Sequence, residues 1–190
     1  MNNKLIVDSN SLINFFYYYH SDKNNSSKVF GELLNFLIDK IDSGEIIVID
    51  KVFDEFSDNP EREFLKKSIK RYVKDTLFLF DKVQQLMIEH YREDIAEKYY
   101  DGKKIELELE YKKYEEKYAD LYLVAYCQYL NGIKEKTILI TEENRGDDKK
   151  LFEKIPVICA KHSVEYRNLP YSLFNIYKDE LNFNLSIKKI

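Results

Sequence analysis

Tryptophan is missing from the 190 residues, which include only two cysteines, three prolines and five glycines. So little glycine and proline excludes a turn-dense β sandwich or a linker-rich chain and favours long regular elements. Cys127 and Cys159 sit inside apolar stretches (AYCQY and VICAK) and form no CxxC pair. That excludes a disulfide framework or a zinc knuckle. No charge-free apolar run approaches the ~18 residues of a membrane-spanning helix, so no membrane partner is expected. The opening, MNNKLIVD, has no charged leader ahead of a long apolar segment. No secretory signal is therefore expected, and a reducing cytoplasm is the expected setting. A strong charge of one sign is lacking too: 30 basic residues face 34 acidic ones, for a net charge of −4 and a pI near 5.6. A nucleic-acid partner would have to be met by a local patch.

What is present is an ordinary apolar share, 44%, with charged residues at 34%. That composition folds, and residues 1–190 fit one domain. Short β-branched runs alternate with longer helical patterns. Lys4–Val7 (KLIV) reads as a buried strand closed by Asp8 and Ser9, with a helix from about Ser11 that carries the aromatic run Phe15–Tyr19. His20–Ser27 reads as a surface loop, and Val29–Ile41 as an amphipathic helix ended by Ser43-Gly44. Glu45–Ile49 reads as the second strand, and Asp50 as the cap of a helix holding Val52, Phe53 and Phe56. Residues 59–117 read as a helical insertion, although Ile105, Leu107, Leu109 and Tyr111 alternate with charges and leave a short strand open there. Alternation then resumes: helix Ala119–Tyr129 with an Asn131-Gly132 cap, strand Thr137–Ile140, a charged turn with a short helix, strand Pro156–Ala160, and a last helix opened by Asn168-Leu169-Pro170 and running through Leu181. Strands separated by helices imply a parallel sheet with helices on both faces, an α/β fold.

In such a sheet, ligands gather beyond the carboxyl ends of the strands. Asp8 ends the first strand, Asp50 the second, and Glu142 and Glu143 follow the third. Glu55 and Asp120 lie on neighbouring helices. There is no Ser-His-acid order, phosphate-binding glycine loop or HExxH, and His20, His90 and His162 are expected to form no cluster. What remains is carboxylate. Converging carboxylates repel and take up protons unless a cation neutralises them, and oxygen-only ligands select Mg²⁺ or Mn²⁺.

IVDSNSLINF at the start, VFDEF about 45 residues on, YADLYLVAYC late in the chain, then TILITEE and IPVIC, together resemble the PIN-domain family of metal-dependent nucleases. The resemblance covers roughly 1–56 and 118–181. It implies a PIN-like three-layer fold with a central parallel sheet, plus the helical insertion at about 59–117. It also implies a Mg²⁺- or Mn²⁺-dependent endoribonuclease, of the kind that serves as a toxin in toxin–antitoxin pairs. By match, Asp8, Glu55, Asp120 and Glu143 take the metal-ligating and catalytic positions. Asn10 and Thr141 stand behind them, orienting ligands or water. Glu143 replaces the more usual Asp. The partners implied are RNA as substrate and a small antitoxin protein; a second copy of the chain is a further expected partner.

Each acid alone has a plainer reading. Asp8 can cap a helix, Glu55 can be a solvated helix carboxylate, and Asp120 a first-turn acid favoured by the helix dipole. The set is more telling than any member. Lys66, Lys67, Lys70, Arg71 and Lys74 are spaced to share one helical face, either a track for RNA phosphates or an ordinary solvated face. Two other classes compete: a non-catalytic PIN-fold RNA-binding or interaction module, and a HAD-like phosphatase. The latter needs a second Asp where this chain has Asn10.

Overall fold

The computed structural model describes residues 3–19, 28–55, 60–144 and 150–181. The expected His20–Ser27 loop lies outside them, as does most of the charged turn after Glu143, residues 145–149. The fold is α/β. Four parallel strands, β1 (Lys4–Val7), β2 (Ile46–Ile47), β3 (Thr137–Ile140) and β4 (Tyr166–Arg167), stand in the order β2-β1-β3-β4. Flanking helices are α1 (Ser9–Tyr19), α2 (Lys28–Asp42), α3 (Asp50–Asp54), α4 (Pro60–Ile69), α5 (Phe80–His90), α6 (Glu93–Tyr100), α7 (Lys104–Glu116), α8 (Asp120–Gly132), α9 (Ile155–Lys161) and α10 (Leu169–Ile176). No described helix is long and apolar enough to cross a membrane.

The inner strands are continuous apolar runs because both faces are covered. Leu5, Ile6 and Val7 pair in register with Ile138, Leu139 and Ile140, all buried. Ser43-Gly44 ends α2 as expected, with Gly44 at φ +70, a conformation glycine adopts without a Cβ clash.

Five local expectations are corrected. Pro156–Ala160 is helical, within α9, and the fourth strand is Tyr166–Arg167. A short apolar run does not itself distinguish buried strand from buried helix, and Pro156 in the first turn of α9 favours helix. Asn131-Gly132 remains helical, and the left-handed residue is Lys134 at φ 67. Ile49, not Asp50, holds the cap position of α3; Asp50 instead accepts from Thr76 Oγ1 (2.5 Å) and from the Lys51 amide (2.9 Å). The last helix, expected through Leu181, ends at Ile176, while the short helix expected in the charged turn after β3 falls largely on 145–149, outside the described residues.

The fifth correction concerns 66–74. The helix stops at Ile69, Lys70–Tyr72 is a 3₁₀ turn, and Lys74 is extended. The sheet edge captures this stretch: the Lys74 amide donates to the Val48 carbonyl and the Asp50 amide to the Lys74 carbonyl, each at 2.9 Å. One helical face for all five basic residues does not form.

The stretch left open at 105–111 is helix α7. Residues 60–116 are mostly helical but not peripheral. Leu65, Ile69, Val83, Leu86, Met87 and Tyr114 belong to the same buried cluster as the strands.

Candidate active site

Strand order turns back between β1 and β3: β2 lies on one side of β1, and β3 and β4 on the other. Such a switch point opens a crevice past the strand ends. The Asp8 amide donates to the Ile140 carbonyl at 2.9 Å, and the Thr141 amide to the Arg167 carbonyl at 3.0 Å. The residues following β1 and β3 are thereby fixed side by side.

Asp8 is 2% exposed. Its carboxylate accepts from Thr141 Oγ1 (3.4 Å) and Ser9 Oγ (3.3 Å). Ser9 Oγ also makes a short hydrogen bond to Glu55 Oε2 and so links the two acids. Glu55 stands at the end of α3, where its other oxygen accepts the Ala119 amide at 2.8 Å, just ahead of α8. Asp120 is the first residue of α8, so both acids face the positive end of that helix. The Thr141 hydroxyl accepts the Glu143 amide at 3.1 Å, and Glu143 Oε2 accepts the Ile155 amide at 3.2 Å.

Lys150 completes the group. Its Nζ lies 2.6 Å from Glu143 Oε1 and 3.1 Å from Asp120 Oδ2. Ser9, Asn10, Ile13, Glu55, Tyr114, Asp120 and Lys150 help line a cleft of about 660 Å³. Tyr114 comes from α7, so the helical segment contributes a wall to the cleft.

The electrostatics follow from four neighbouring carboxylates, two of which, Asp120 and Glu143, are bridged by the Lys150 ammonium. Burial, and then the charges of Asp120, Glu55 and Glu143, push the Asp8 carboxyl up to about 7. Burial also raises Glu55, opposed by its hydrogen bonds from Ser9 and Ala119. Burial alone would pull Lys150 down, but the Asp120 charge and the Glu143 hydrogen bond outweigh it, and its pKa is raised. Among the described residues, no three of the four carboxylates bring oxygens within 4.8 Å of one another. They stand apart, with Ser9 between one pair and Lys150 between the other. The donor set is oxygen only, and burial together with the three neighbouring acids lets Asp8 keep its proton to about 7. Both features fit a hard divalent cation.

The structure therefore brings Asp8, Glu55, Asp120, Glu143 and Thr141 to one place, with the exposed Asn10 on the cleft wall. Glu142 points elsewhere: its Oε1 accepts the Leu169 amide at 3.0 Å, at the start of α10. The basic residues are dispersed. Lys66 lies over the Phe53 ring at 5.8 Å, Lys67 faces Glu63 at 3.6 Å, and Arg71 stacks on Tyr72 at 4.6 Å. Lys70 is exposed on the 3₁₀ turn, and Lys74 is tied by its backbone to the sheet edge.

Sequence reasoning missed Ser9 and Lys150. Ser9 reads as a cap, and its adjacency to Asp8 was the available signal. Lys150 had none, being one of two consecutive lysines in a charged segment. Sequence reasoning also missed that His90 and His162 meet, with Nε2 atoms 2.7 Å apart.

Fold and site together define an α/β protein with an acidic cleft at the switch point of a parallel sheet. The chain belongs to the family described as Domain of unknown function (DUF4411), whose model matches residues 5–176. That span takes in all four acids, Lys150 and the helices of 60–116. No curated protein and no solved structure matches the chain.

Proposed function

We propose that this protein is a PIN-like, Mg²⁺- or Mn²⁺-dependent endoribonuclease. The observation that carries the reading is the grouping of four acids from four separate elements: Ser9 links Asp8 to Glu55, Lys150 joins Asp120 to Glu143, and Glu55 and Asp120 line the cleft. These four residues would hold the cation, which when bound supplies an activated water and charge stabilisation at a phosphodiester. Thr141 holds Asp8 and the Glu143 backbone in place, and Ser9 fixes the spacing of Asp8 and Glu55. Asn10 is exposed on the cleft wall, positioned to orient water or a phosphate oxygen. Lys150 neutralises Asp120 and Glu143 in the metal-free protein and lines the cleft that a phosphate would enter.

RNA is the proposed substrate and the cytoplasm the proposed setting. By the same resemblance, a small antitoxin would cover the acids; a second copy of the chain is a separate proposed partner. The test is incubation of purified protein with single-stranded RNA and Mn²⁺, with and without chelator. Cleavage that stops with chelator and falls at least ~10²-fold in Asp120→Asn supports the reading. Cleavage indifferent to both overturns it.

One observation favours a second reading, a non-catalytic RNA-binding module. The Lys150 ammonium already bridges Asp120 and Glu143, as it would in a site that no longer takes metal. RNA binding without cleavage, unchanged by Mn²⁺, would select it.

A further inference from the structure

Away from the acidic cleft, α5 and α9 end against each other. His90 is the last residue of α5, and His162 follows α9 directly. Their rings meet at 71° with Nε2 atoms 2.7 Å apart, and Glu89 Oε2 lies 3.4 Å from His162 Nε2. One ligand atom from each of Glu89, His90 and His162 falls within 4.8 Å of the others. Behind them, His90 Nδ1 lies 2.7 Å from Glu153 Oε2, and Lys161 holds both Glu153 oxygens at 2.9 and 2.7 Å.

The tautomer follows from this order. Glu153 takes a hydrogen bond from Lys161 on each of its oxygens, and its Oε2 faces His90 Nδ1 as an acceptor. His90 Nδ1 therefore carries a proton toward Glu153. In the neutral ring, His90 Nε2 is left with a lone pair aimed at His162. A carboxylate fixing one imidazole nitrogen while the other faces a shared point is how proteins prepare histidine for metal. His90 is 2% exposed, so its ring is locked, whereas Glu89 is exposed and His162 stands at a turn.

We propose that Glu89, His90 and His162 form a binding site for a transition metal of the Zn²⁺ class, with a fourth position open to water. Imidazole donors suit zinc, cobalt or nickel, and not the hard cations that suit the carboxylate cleft. Tetrahedral ligands at about 2.0–2.1 Å from zinc stand about 3.3 Å apart. The two Nε2 atoms must separate by about 0.6 Å, a movement the turn at His162 allows. The proton that His162 Nε2 shares with His90 leaves to solvent or is retaken at His162 Nδ1, and both Nε2 lone pairs then bind metal.

Occupancy would clamp the helical segment to the sheet half. His90 and Glu153 already join the two through backbone: the Glu153 amide donates to the His90 carbonyl at 3.1 Å, and the Arg92 amide to the Leu151 carbonyl at 2.9 Å.

The test uses the full chain without a histidine tag, by calorimetry with Zn²⁺ and by visible absorption with Co²⁺. The expected result is one high-affinity Zn²⁺ per chain and a tetrahedral Co²⁺ spectrum. The dissociation constant should rise at least ~10-fold in His162→Asn, in Glu89→Gln and in Glu153→Gln, the last through loss of the His90 orientation. Asp120→Asn should leave the Zn²⁺ affinity and the Co²⁺ spectrum unchanged. Absence of Zn²⁺ binding, or binding that survives His162→Asn and is lost in Asp120→Asn, would overturn the proposal.

Discussion

Lys150 Nζ donates to Glu143 Oε1 at 2.6 Å, and the same ammonium reaches Asp120 at 3.1 Å. A lysine from the segment before α9 thereby supplies positive charge to acids brought in by β3 and α8. A divalent cation at this cleft would compete with it directly. Lys150→Met should lower the stability of the metal-free protein by roughly 1–2 kcal/mol, a modest figure because the side chain is 37% exposed and screened. The same change should tighten Mn²⁺ binding. Urea denaturation in chelator and Mn²⁺ titration check the two halves.

The pH dependence has a defined sign. Asp8 titrates near 7 when folded, against an ordinary value of 3.8. The folded state therefore holds that proton more tightly than the unfolded chain, and ionising it costs stability. In chelator, stability should fall as pH rises from about 4 to about 7, so the protein should melt higher at pH 5 than at pH 8. Glu55, also raised by burial, acts in the same direction. Asp8→Asn should flatten the decline and stabilise the metal-free protein at pH 8. Saturating Mn²⁺ should reverse the trend, because only the ionised carboxylate binds metal. Thermal melts across pH, with and without Mn²⁺, measure it.

Glu142 and Glu143 separate two roles in adjacent residues. Glu143→Gln should weaken Mn²⁺ binding and leave the metal-free protein folded. Glu142→Gln weakens the acceptor for the Leu169 amide, and should cost ~0.5–1 kcal/mol with Mn²⁺ affinity unchanged. Paired melts and titrations on the two variants would show the reverse pattern if the strand-end acid were assigned one residue off.

Dispersal of the basic residues sharpens the expectation for RNA. Lys67, Lys70 and Arg71 are all exposed, so replacing each with Ala should reduce the salt slope of RNA binding by up to ~0.7 per lost phosphate contact. Lys74, held by its backbone at the sheet edge, should contribute least. Fluorescence titrations at several salt concentrations measure the slopes.

Strands whose both faces are covered announce themselves as apolar runs, which is why Lys4–Val7 and Thr137–Ile140 were legible at their observed bounds. The acids were legible because strand ends define where a ligand can sit. Tyr166–Arg167 was not, being a two-residue edge strand of amphipathic side chains. Residues 66–74 misled because helical spacing continued past Ile69, while long-range pairing with Val48 and Asp50 decided the backbone. Lys150 and the His90–His162 pair depend on contacts 7 to 72 residues apart, which no local pattern encodes.

The central claim is that Asp8, Glu55, Asp120 and Glu143 share one cation site. Its most direct measurement is the unfolding free energy of the His162→Asn variant in chelator and in Mn²⁺, which removes a histidine ligand from the second proposed site. At 100-fold over the dissociation constant, Mn²⁺ should add ~2.7 kcal/mol, and Asp120→Asn in the same background should abolish most of that gain. Identical stability in chelator and Mn²⁺ would contradict the account.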